Sequence, residues 1–340
     1  MLEWLRKLLY GRFYKADDFM SQASQAYNRY SKSHQPSDLE STIEFYRKAH
    51  AKSNENYEQY PNILINLSVA LTEFGEISGT ANSDHRFSEP IDLLGIARRF
   101  MESKQASDRP QTYPNVLISL GRLYLNRYRE KKAEEDFRAS IEAYEHVRSS
   151  TPSSSLQYCT SLIEHAAVLW TACEVQPSKD EDAARLEQAL AYLGEARQGN
   201  HPDLEGECYK HLAAVHDLLY RETSSKNLKK AMTHLDSAIE FNQNSVPLLQ
   251  TKSDPALSAT LLNLAKQRFA RYTASTEKNE DDLSDAELGY QTAKTLAEKE
   301  HGSKDLLDKI DRLANNIKQY KKTATFRRGS ADQYGSAFAM

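Results

Sequence analysis

The amino-acid sequence predicts an all-α fold built from about six repeated helix–turn–helix units. Glycine and proline are scarce, with 12 Gly and 10 Pro among 340 residues, whereas residues that favour helices are plentiful. The chain also contains nearly the same helix opening twice, as YPNILINLSVAL at 60–71 and as YPNVLISLGRLY at 113–124. Similarity at a long period is typical of repeat proteins, in which stacked units share a continuous core.

The first helix of each unit is predicted to carry a small residue among apolar ones. In the clearest copy, Gly121 follows Leu117 and Leu120, and Tyr124 lies one turn later. A small side chain lets a second helix approach closely, and the bulky side chains beside it fill the space between units. Equivalent small residues recur at intervals of 45 to 53 residues, at Ala23, Ser68, Gly121, Ala167, Ala213 and Ala265.

The second helix of each unit follows at a nearly constant distance, 18 to 22 residues after the small residue. Each of these segments has apolar residues at i, i+3, i+4 and i+7, the period of an amphipathic helix. The six segments are 38–46, 88–94, 137–144, 186–193, 228–235 and 282–290. The stretches between helices are rich in Ser, Asn, Gly, Pro and charged residues, as turns are.

Residues 1–15 are predicted to form an N-terminal amphipathic helix ahead of a repeat array that covers 16–300. Its apolar residues, such as Trp4 and Leu8, alternate with basic ones such as Arg6. A helix of this kind packs on the first repeat as a cap, or lies on a membrane surface. We expect the cap, because stable membrane anchoring usually needs a second signal.

The C-terminal end is predicted to hold a capping helix within 301–320 and a disordered basic tail at 321–340. Leu306, Ile310 and Leu313 recur on one helical face, which suits them to cover the last repeat. The tail lacks any apolar period. Within it, Ser330 follows two arginines and is a candidate phosphorylation site.

Charge and cysteine content restrict the class of partner and the compartment. The formal net charge is −4 and the isoelectric point is near 6.2, so no general attraction to nucleic acid is expected. Three cysteines form no CxxC pair, and no apolar run is long enough to cross a membrane. The sequence therefore indicates a protein of the reducing cytoplasm.

One acidic motif is a candidate metal site. Asp281, Asp282 and Asp285 match the DDxxD pattern by which all-helical prenyl-transferring enzymes hold magnesium. The same residues also align with the start of a second helix, where acids are stabilised by exposed amides. No phosphate-binding glycine loop, nucleophile elbow or Cys/His metal set occurs. We expect no catalytic role, metal or cofactor, and a metal-dependent helical enzyme stays open as the alternative.

The repeat pattern resembles the tetratricopeptide repeat, or TPR. The residues that carry the resemblance are those at 117–124 together with Ser140 to Tyr144, although the connections exceed those of the usual unit of about 34 residues. Arg29-Tyr30, followed by Asp38-Leu39, is similar to a phrase of divergent long-repeat arrays found in fungal proteins. The resemblance covers 16–300 and implies a right-handed superhelical solenoid with a concave groove.

The resemblance places a partner-binding groove on the first helices, about one turn to each side of the small residue. The groove residues that it implies are Asn62, Asn66, Glu73, Asn115, Ser119, Arg122, Asn126, His165, Lys210, His211, Asp217, Asn263 and Lys266. Asparagine side chains donate and accept hydrogen bonds together, so they can hold the backbone of a bound peptide. The implied function is that of a non-catalytic scaffold or adaptor for a protein or peptide partner, with self-association as a further mode.

Overall fold

The structure is a computed structural model that describes residues 2–78, 83–105, 108–178, 180–252, 254, 256–299 and 304–335. It describes the side chains of these residues apart from 2–14, 83–85 and 324–335. Within the described residues every regular element is a helix, so the all-α prediction is confirmed. The helices are α1 Leu2–Ser33, α2 Pro36–Lys52, α3 Tyr60–Ser78, α4 Ser83–Glu102, α5 Tyr113–Lys131, α6 Glu134–Ser150, α7 Leu156–Val175, α8 Asp182–Gln198, α9 Pro202–Ser224, α10 Leu228–Thr251, α11 Leu257–Ala274, α12 Glu280–Lys299 and α13 Lys304–Gly335.

The chain divides into two compact units, Met1–Pro177 and Ser178–Met340. The first unit contains the helix pairs α1/α2, α3/α4 and α5/α6, followed by α7. The second unit contains α8, the pairs α9/α10 and α11/α12, and α13. The two helices of the fourth predicted pair, α7 and α8, thus belong to different units. A single array over 16–300 stays a prediction.

The predicted small residues are buried at the contact between paired helices. Gly121 on α5 faces Tyr144 on α6, and a Cβ atom at Gly121 would lie 2.5 Å from the Tyr144 ring. The Ser140 hydroxyl donates a hydrogen bond of 2.8 Å to the Gly121 carbonyl oxygen. In the preceding pair, the Ser68 hydroxyl donates to the carbonyl oxygen of Pro90 at 3.2 Å. All six predicted small residues are buried, which confirms the close packing expected of each first helix.

Three helix pairs share an arginine–aspartate contact near their turn, which we call the Arg–Asp brace. Arg127 near the end of α5 donates to Asp136 at the start of α6, with Nε 2.9 Å from both carboxylate oxygens. Arg271 on α11 donates in the same way to Asp282 on α12. The Arg29 Nε atom on α1 donates to Asp38 on α2 at 3.1 Å. Each brace joins the last turns of a first helix to the first turn of the next helix.

The core of the second unit continues onto its last helix. Leu262 and Ala265 of α11 and Leu283 of α12 cluster with Ile310 and Leu313 of α13. The apolar face predicted for the capping helix is therefore buried against the last helix pair.

Both ends differ in length from the sequence prediction. α1 runs without a break from Leu2 to Ser33, where the sequence predicts a separate helix at 1–15. α13 continues to Gly335, where the sequence predicts a disordered tail from residue 321. The side chain of Ser330 lies outside the described residues. In the described part of the chain, no helix is both long enough and apolar enough to cross a membrane.

The three cysteines are buried and none is joined in a disulfide. Cys159 and Cys173 lie on α7, and Cys208 lies on α9. The Cys173 thiol donates to the Leu169 carbonyl oxygen at 3.4 Å, and the Cys208 thiol to that of Leu193 at 3.5 Å. These contacts are typical of cysteines that pack as small apolar residues.

Candidate functional site

The candidate site in the first unit lies on α3 and α5, and we call it the first-helix face. Its predicted residues are spaced by four on α3, and by four, three and four on α5, so that on each helix they share one side. Asn66, Asn115 and Arg122 are exposed, and the three other members are half-buried. The set is Asn62, Asn66, Asn115, Ser119, Arg122 and Asn126.

Two asparagines of this face keep their amide groups available. Asn66 and Asn115 make no side-chain hydrogen bond to any residue that the structure describes. Asn126, by contrast, accepts a hydrogen bond of 3.3 Å from Arg129, and Asn62 donates to Gln59. The free amides can therefore both donate to and accept from a bound chain.

Side-chain hydrogen bonds tie neighbouring first helices together. Tyr27 on α1 donates to Glu73 on α3 at 2.8 Å, and Arg122 on α5 donates to Glu164 on α7 at 2.7 Å. Burial and the Glu73 carboxylate raise the pKa of Tyr27, so its hydroxyl remains a donor. Arg122 and Glu73 thus have positions set by neighbouring helices.

An apolar side chain completes the first-helix face. Val69 lies one turn after Asn66 on α3 and is 39% exposed. Ile77, two turns further along the same helix, is 44% exposed. A partner that crosses α3 would therefore meet an amide group and apolar carbons side by side, which is the mixture typical of protein interfaces.

The structure places His165 in the core and away from the first-helix face. Its side chain is 2% exposed, and Arg148 of α6 lies 3.0 Å from its Nδ1 atom. Burial, helped by the Arg148 charge, lowers the pKa of His165 to about 3. A neutral imidazole that accepts from Arg148 is consistent with a packing role and cannot reach a partner in this conformation.

In the second unit, Lys210 and His211 converge on a carboxylate of their own helix. The His211 Nε2 atom lies 3.5 Å from Glu207, and Lys210 pairs with the same carboxylate. Burial alone would raise the pKa of Glu207, but its contacts with His211 and Lys210 outweigh burial and lower this pKa to about 2. His211 is buried, at 8% exposure, so only Lys210 offers surface to a partner.

The remaining predicted residues of the second unit belong to α9 and α11. Asn263 is exposed, and Asp217 lies 3.5 Å from the Gln267 amide. Lys266 lines a cavity of about 450 Å³ between α11 and α13, here called the α11–α13 cavity. Lys309 and Arg312 line it from the α13 side. Neither Lys309 nor Arg312 was predicted from the sequence, although both lie within about one turn before Leu313 on the predicted capping helix.

Two carboxylates of the acidic motif at 281–285 are paired with arginines. Asp282 is 3% exposed and accepts two hydrogen bonds from Arg271, while Asp285 pairs with Arg268. The hydrogen bonds to Asp282 raise the pKa of Arg271, so this guanidinium stays charged. Among the described residues, no group of three or more His, Cys, Asp or Glu side chains is arranged to hold a metal ion.

A comparison with known protein sequences shows similarity to a distant relative. No protein-family model matches the chain. Human Protein O-mannosyl-transferase TMTC1 is 24% identical over 236 residues, which cover 61% of this chain and 26% of that protein. The chain therefore spans about a quarter of the length of this relative.

Solved structures with similar helix arrangements have low sequence identity. The Assembly Chaperone of RpL4 (Acl4) is 16% identical with a TM-score of 0.41, over 91% of this chain and 99% of that one. The S. pombe nuclear import adaptor Nro1 is 13% identical with a TM-score of 0.40, over 87% and 99% respectively. The helix pairs and their buried small residues confirm the resemblance to TPR-like repeats at the level of fold.

Proposed function

We propose that this chain is a non-catalytic scaffold or adaptor that binds a peptide or helical segment of a protein partner. The observation that carries the proposal is the first-helix face, where the amides of Asn66 and Asn115 are exposed and make no side-chain hydrogen bond to a described residue, and where Val69 lies one turn after Asn66. An amide that donates and accepts can hold a peptide backbone of any sequence, and Val69 adds apolar contact. Three buried thiols suit the reducing cytoplasm, where we place the protein.

A metal-dependent enzyme that uses the acidic motif at 281–285 is a weaker proposal than the scaffold. Magnesium binding by paired carboxylates needs their oxygens to be open to the ion. Asp282 already accepts two hydrogen bonds from Arg271, and Asp285 is paired with Arg268. A cation placed there would first have to displace both guanidinium groups, so we assign the acids to the helix pair.

The test is affinity capture with quantitative mass spectrometry, using the wild type and the double variant Asn66→Ala/Asn115→Ala as bait. We expect a set of proteins that the wild type retains and the variant loses, because both amides lie on the proposed contact surface. The matched control is Gln243→Ala/Asn244→Ala, which removes two exposed amide groups from the second helix α10.

A photocrosslinking amino acid in place of Val69 identifies direct partners within the captured set. A captured set that the Asn66/Asn115 variant retains unchanged, while circular dichroism shows it folded, would contradict the proposal. Loss with the α10 control as well would move the contact away from the first helices.

A further inference from the structure

The α11–α13 cavity has an apolar interior formed by both helices. Phe269 of α11 and Leu313 of α13 line it, and Leu313 is 5% exposed. The rings of Phe269 and Tyr320 are perpendicular at a centroid distance of 5.8 Å, and the half-buried Phe269 packs against the core cluster. The volume of about 450 Å³ falls within the range of roughly 300–1,000 Å³ typical of ligand pockets. The cavity can therefore take an apolar side chain.

The polar residues around this cavity are cationic or neutral. Of the described residues, the charged ones that line it are Lys266, Lys309 and Arg312, and none is an aspartate or a glutamate. Lys309 pairs with Asp305 one turn earlier at 2.6 Å, but both side chains are about half exposed or more. Exposed pairs of this kind contribute little to stability, because water screens both charges. A carboxylate from a partner can therefore replace Asp305 at little cost.

Arg312 is the strongest candidate for contact with a partner. It is exposed and makes no ion pair with any residue that the structure describes. Asp311, its neighbour in sequence, is directed to Lys294 on α12 at a distance of 2.8 Å. Because a guanidinium group binds a carboxylate through two parallel hydrogen bonds, Arg312 is suited to an acidic ligand.

We infer that the α11–α13 cavity binds an acidic peptide segment, which inserts an apolar side chain beside Phe269 and pairs its carboxylates with Arg312 and Lys309. The inference rests on the proposed function and names the chemistry of the partner at the second unit. Arg312 makes no ion pair with any described residue and Lys309 makes only an exposed one, so the positive charge at this cavity complements an acidic peptide.

A nucleic acid fits the cavity less well than an acidic peptide. Single-stranded nucleic acid binds to exposed aromatic rings on which bases stack. Among the described residues that line this cavity Phe269 alone is aromatic, and its half-buried ring, packed against Tyr320, leaves a wall for an apolar side chain. An acidic peptide uses both the wall and the cations.

The test is fluorescence anisotropy with the purified full-length chain and a short fluorescein-labelled peptide of alternating Glu and Leu residues. We expect saturable binding that Arg312→Glu weakens about tenfold or more, and Arg312→Gln by a smaller factor. A peptide with Gln at every Glu position should also bind about tenfold less tightly. A peptide with Ala at every Leu position tests the apolar wall in the same way.

The matched control is Lys318→Glu, which reverses a charge on the same helix. Lys318 lines a separate cavity between α12 and α13. We expect less than about a threefold change, because exposed charges outside the cavity are screened by salt. Equal weakening by Lys318→Glu, equal affinity for the Gln peptide, or no saturable binding would each overturn the inference. A concentration-dependent dimer that excludes the peptide would assign the cavity to a second copy of the chain, and would also overturn it.

The peptide assay is independent of the first-helix face, because Asn66 and Asn115 lie in the other unit. If the peptide fails to bind while the Asn66/Asn115 variant loses its captured partners, only this inference fails. If the peptide binds and captured partners are unaffected by that variant, the contact surface lies at α11 and α13.

Discussion

Gly121 and Tyr144 illustrate how one residue sets the distance between two helices. Tyr144 is fully buried on α6, and its ring occupies the space that a Cβ atom at Gly121 would need. Real Cβ atoms do not approach a ring to 2.5 Å, so either the ring or the helix would have to shift. Glycine at this position therefore permits the close approach of α5 and α6.

We predict that Gly121→Ala destabilises the chain by about 1–3 kcal/mol, as overpacking of a filled core does. Urea unfolding followed by circular dichroism measures the change. Gly95→Ala is the matched control in the same unit, since its Cβ would meet only the end of Arg99 at 3.6 Å. That control should be neutral, or stabilising by roughly 0.5–1 kcal/mol, because alanine favours helices. Equal stability of the two variants would show that the Tyr144 ring moves aside freely.

His165 makes stability depend on pH. Its pKa in the folded chain is about 3, whereas the unfolded value is near 6.5. The unfolded chain therefore takes up the proton first, so the contribution is fully present above about pH 6.5 and is lost as the pH falls toward 3. At about pH 5 the expected loss is about 2 kcal/mol.

Urea unfolding of the wild type and of His165→Gln at about pH 7.5 and about pH 5 tests this expectation. The variant cannot titrate at this position, so its free energy of unfolding should fall less than that of the wild type between the two conditions, by about 2 kcal/mol. Parallel losses in both proteins would mean that other groups, such as the buried carboxylates, control the acid response.

At the scale of the helix pair, the Arg–Asp brace joins two helices next to their turn. Asp136 is 3% exposed and its carboxylate accepts hydrogen bonds from the Nε and Nη2 atoms of Arg127. Burying a carboxylate is costly unless it is paired and hydrogen-bonded. The brace therefore contributes most by preventing an uncompensated charge.

We expect Arg127→Ala to destabilise the chain by about 3–5 kcal/mol, because it leaves Asp136 buried without its partner. Arg138→Ala is the matched control on α6, since its pair with Glu134 is exposed on both sides and should contribute less than about 1 kcal/mol. Urea midpoints compare the two variants. Similar midpoints would show that water reaches Asp136 once Arg127 is removed.

The helices and their small residues could be predicted because apolar period and residue size act within one helix. The sequence predicts His165 in the groove because it lies on a first helix, but its burial beside Arg148, seventeen residues earlier in the chain, depends on how α6 and α7 pack. The Arg–Asp brace repeats in sequence as Arg-Tyr followed by Asp, yet only the turn geometry shows that the two side chains meet. The α11–α13 cavity could not be predicted, because it depends on how α13 packs against α11. The cations that line it follow no repeat pattern that would have indicated them in the sequence.

At the scale of the whole molecule, each of the two units has its own apolar core. In the first unit, Leu39 and Leu64 belong to a cluster built from α1 to α4, and Leu117 and Tyr144 to one built from α4 to α7. In the second unit, Leu283 and Ile310 belong to a cluster of α11 to α13. A unit with its own core is expected to fold without the other.

We predict that residues 1–177 and 178–340, expressed separately, each give a helical circular dichroism spectrum and a cooperative urea transition. The division falls between the end of α7 at Val175 and the start of α8 at Asp182, so it cuts no helix. The full-length chain is the reference. A half that is a random coil, while the full chain is folded, would show that its core needs the rest of the array.

The three buried thiols allow transient local unfolding to be measured in the native chain. A thiol reagent attacks a cysteine only when the surrounding helix exposes it, so the labelling rate reports the local opening free energy. Labelling of Cys159 and Cys173 reports opening of the first unit, and labelling of Cys208 reports opening of the second. Mass spectrometry of labelled peptides would therefore measure the rate of local opening in each unit separately, without an engineered probe.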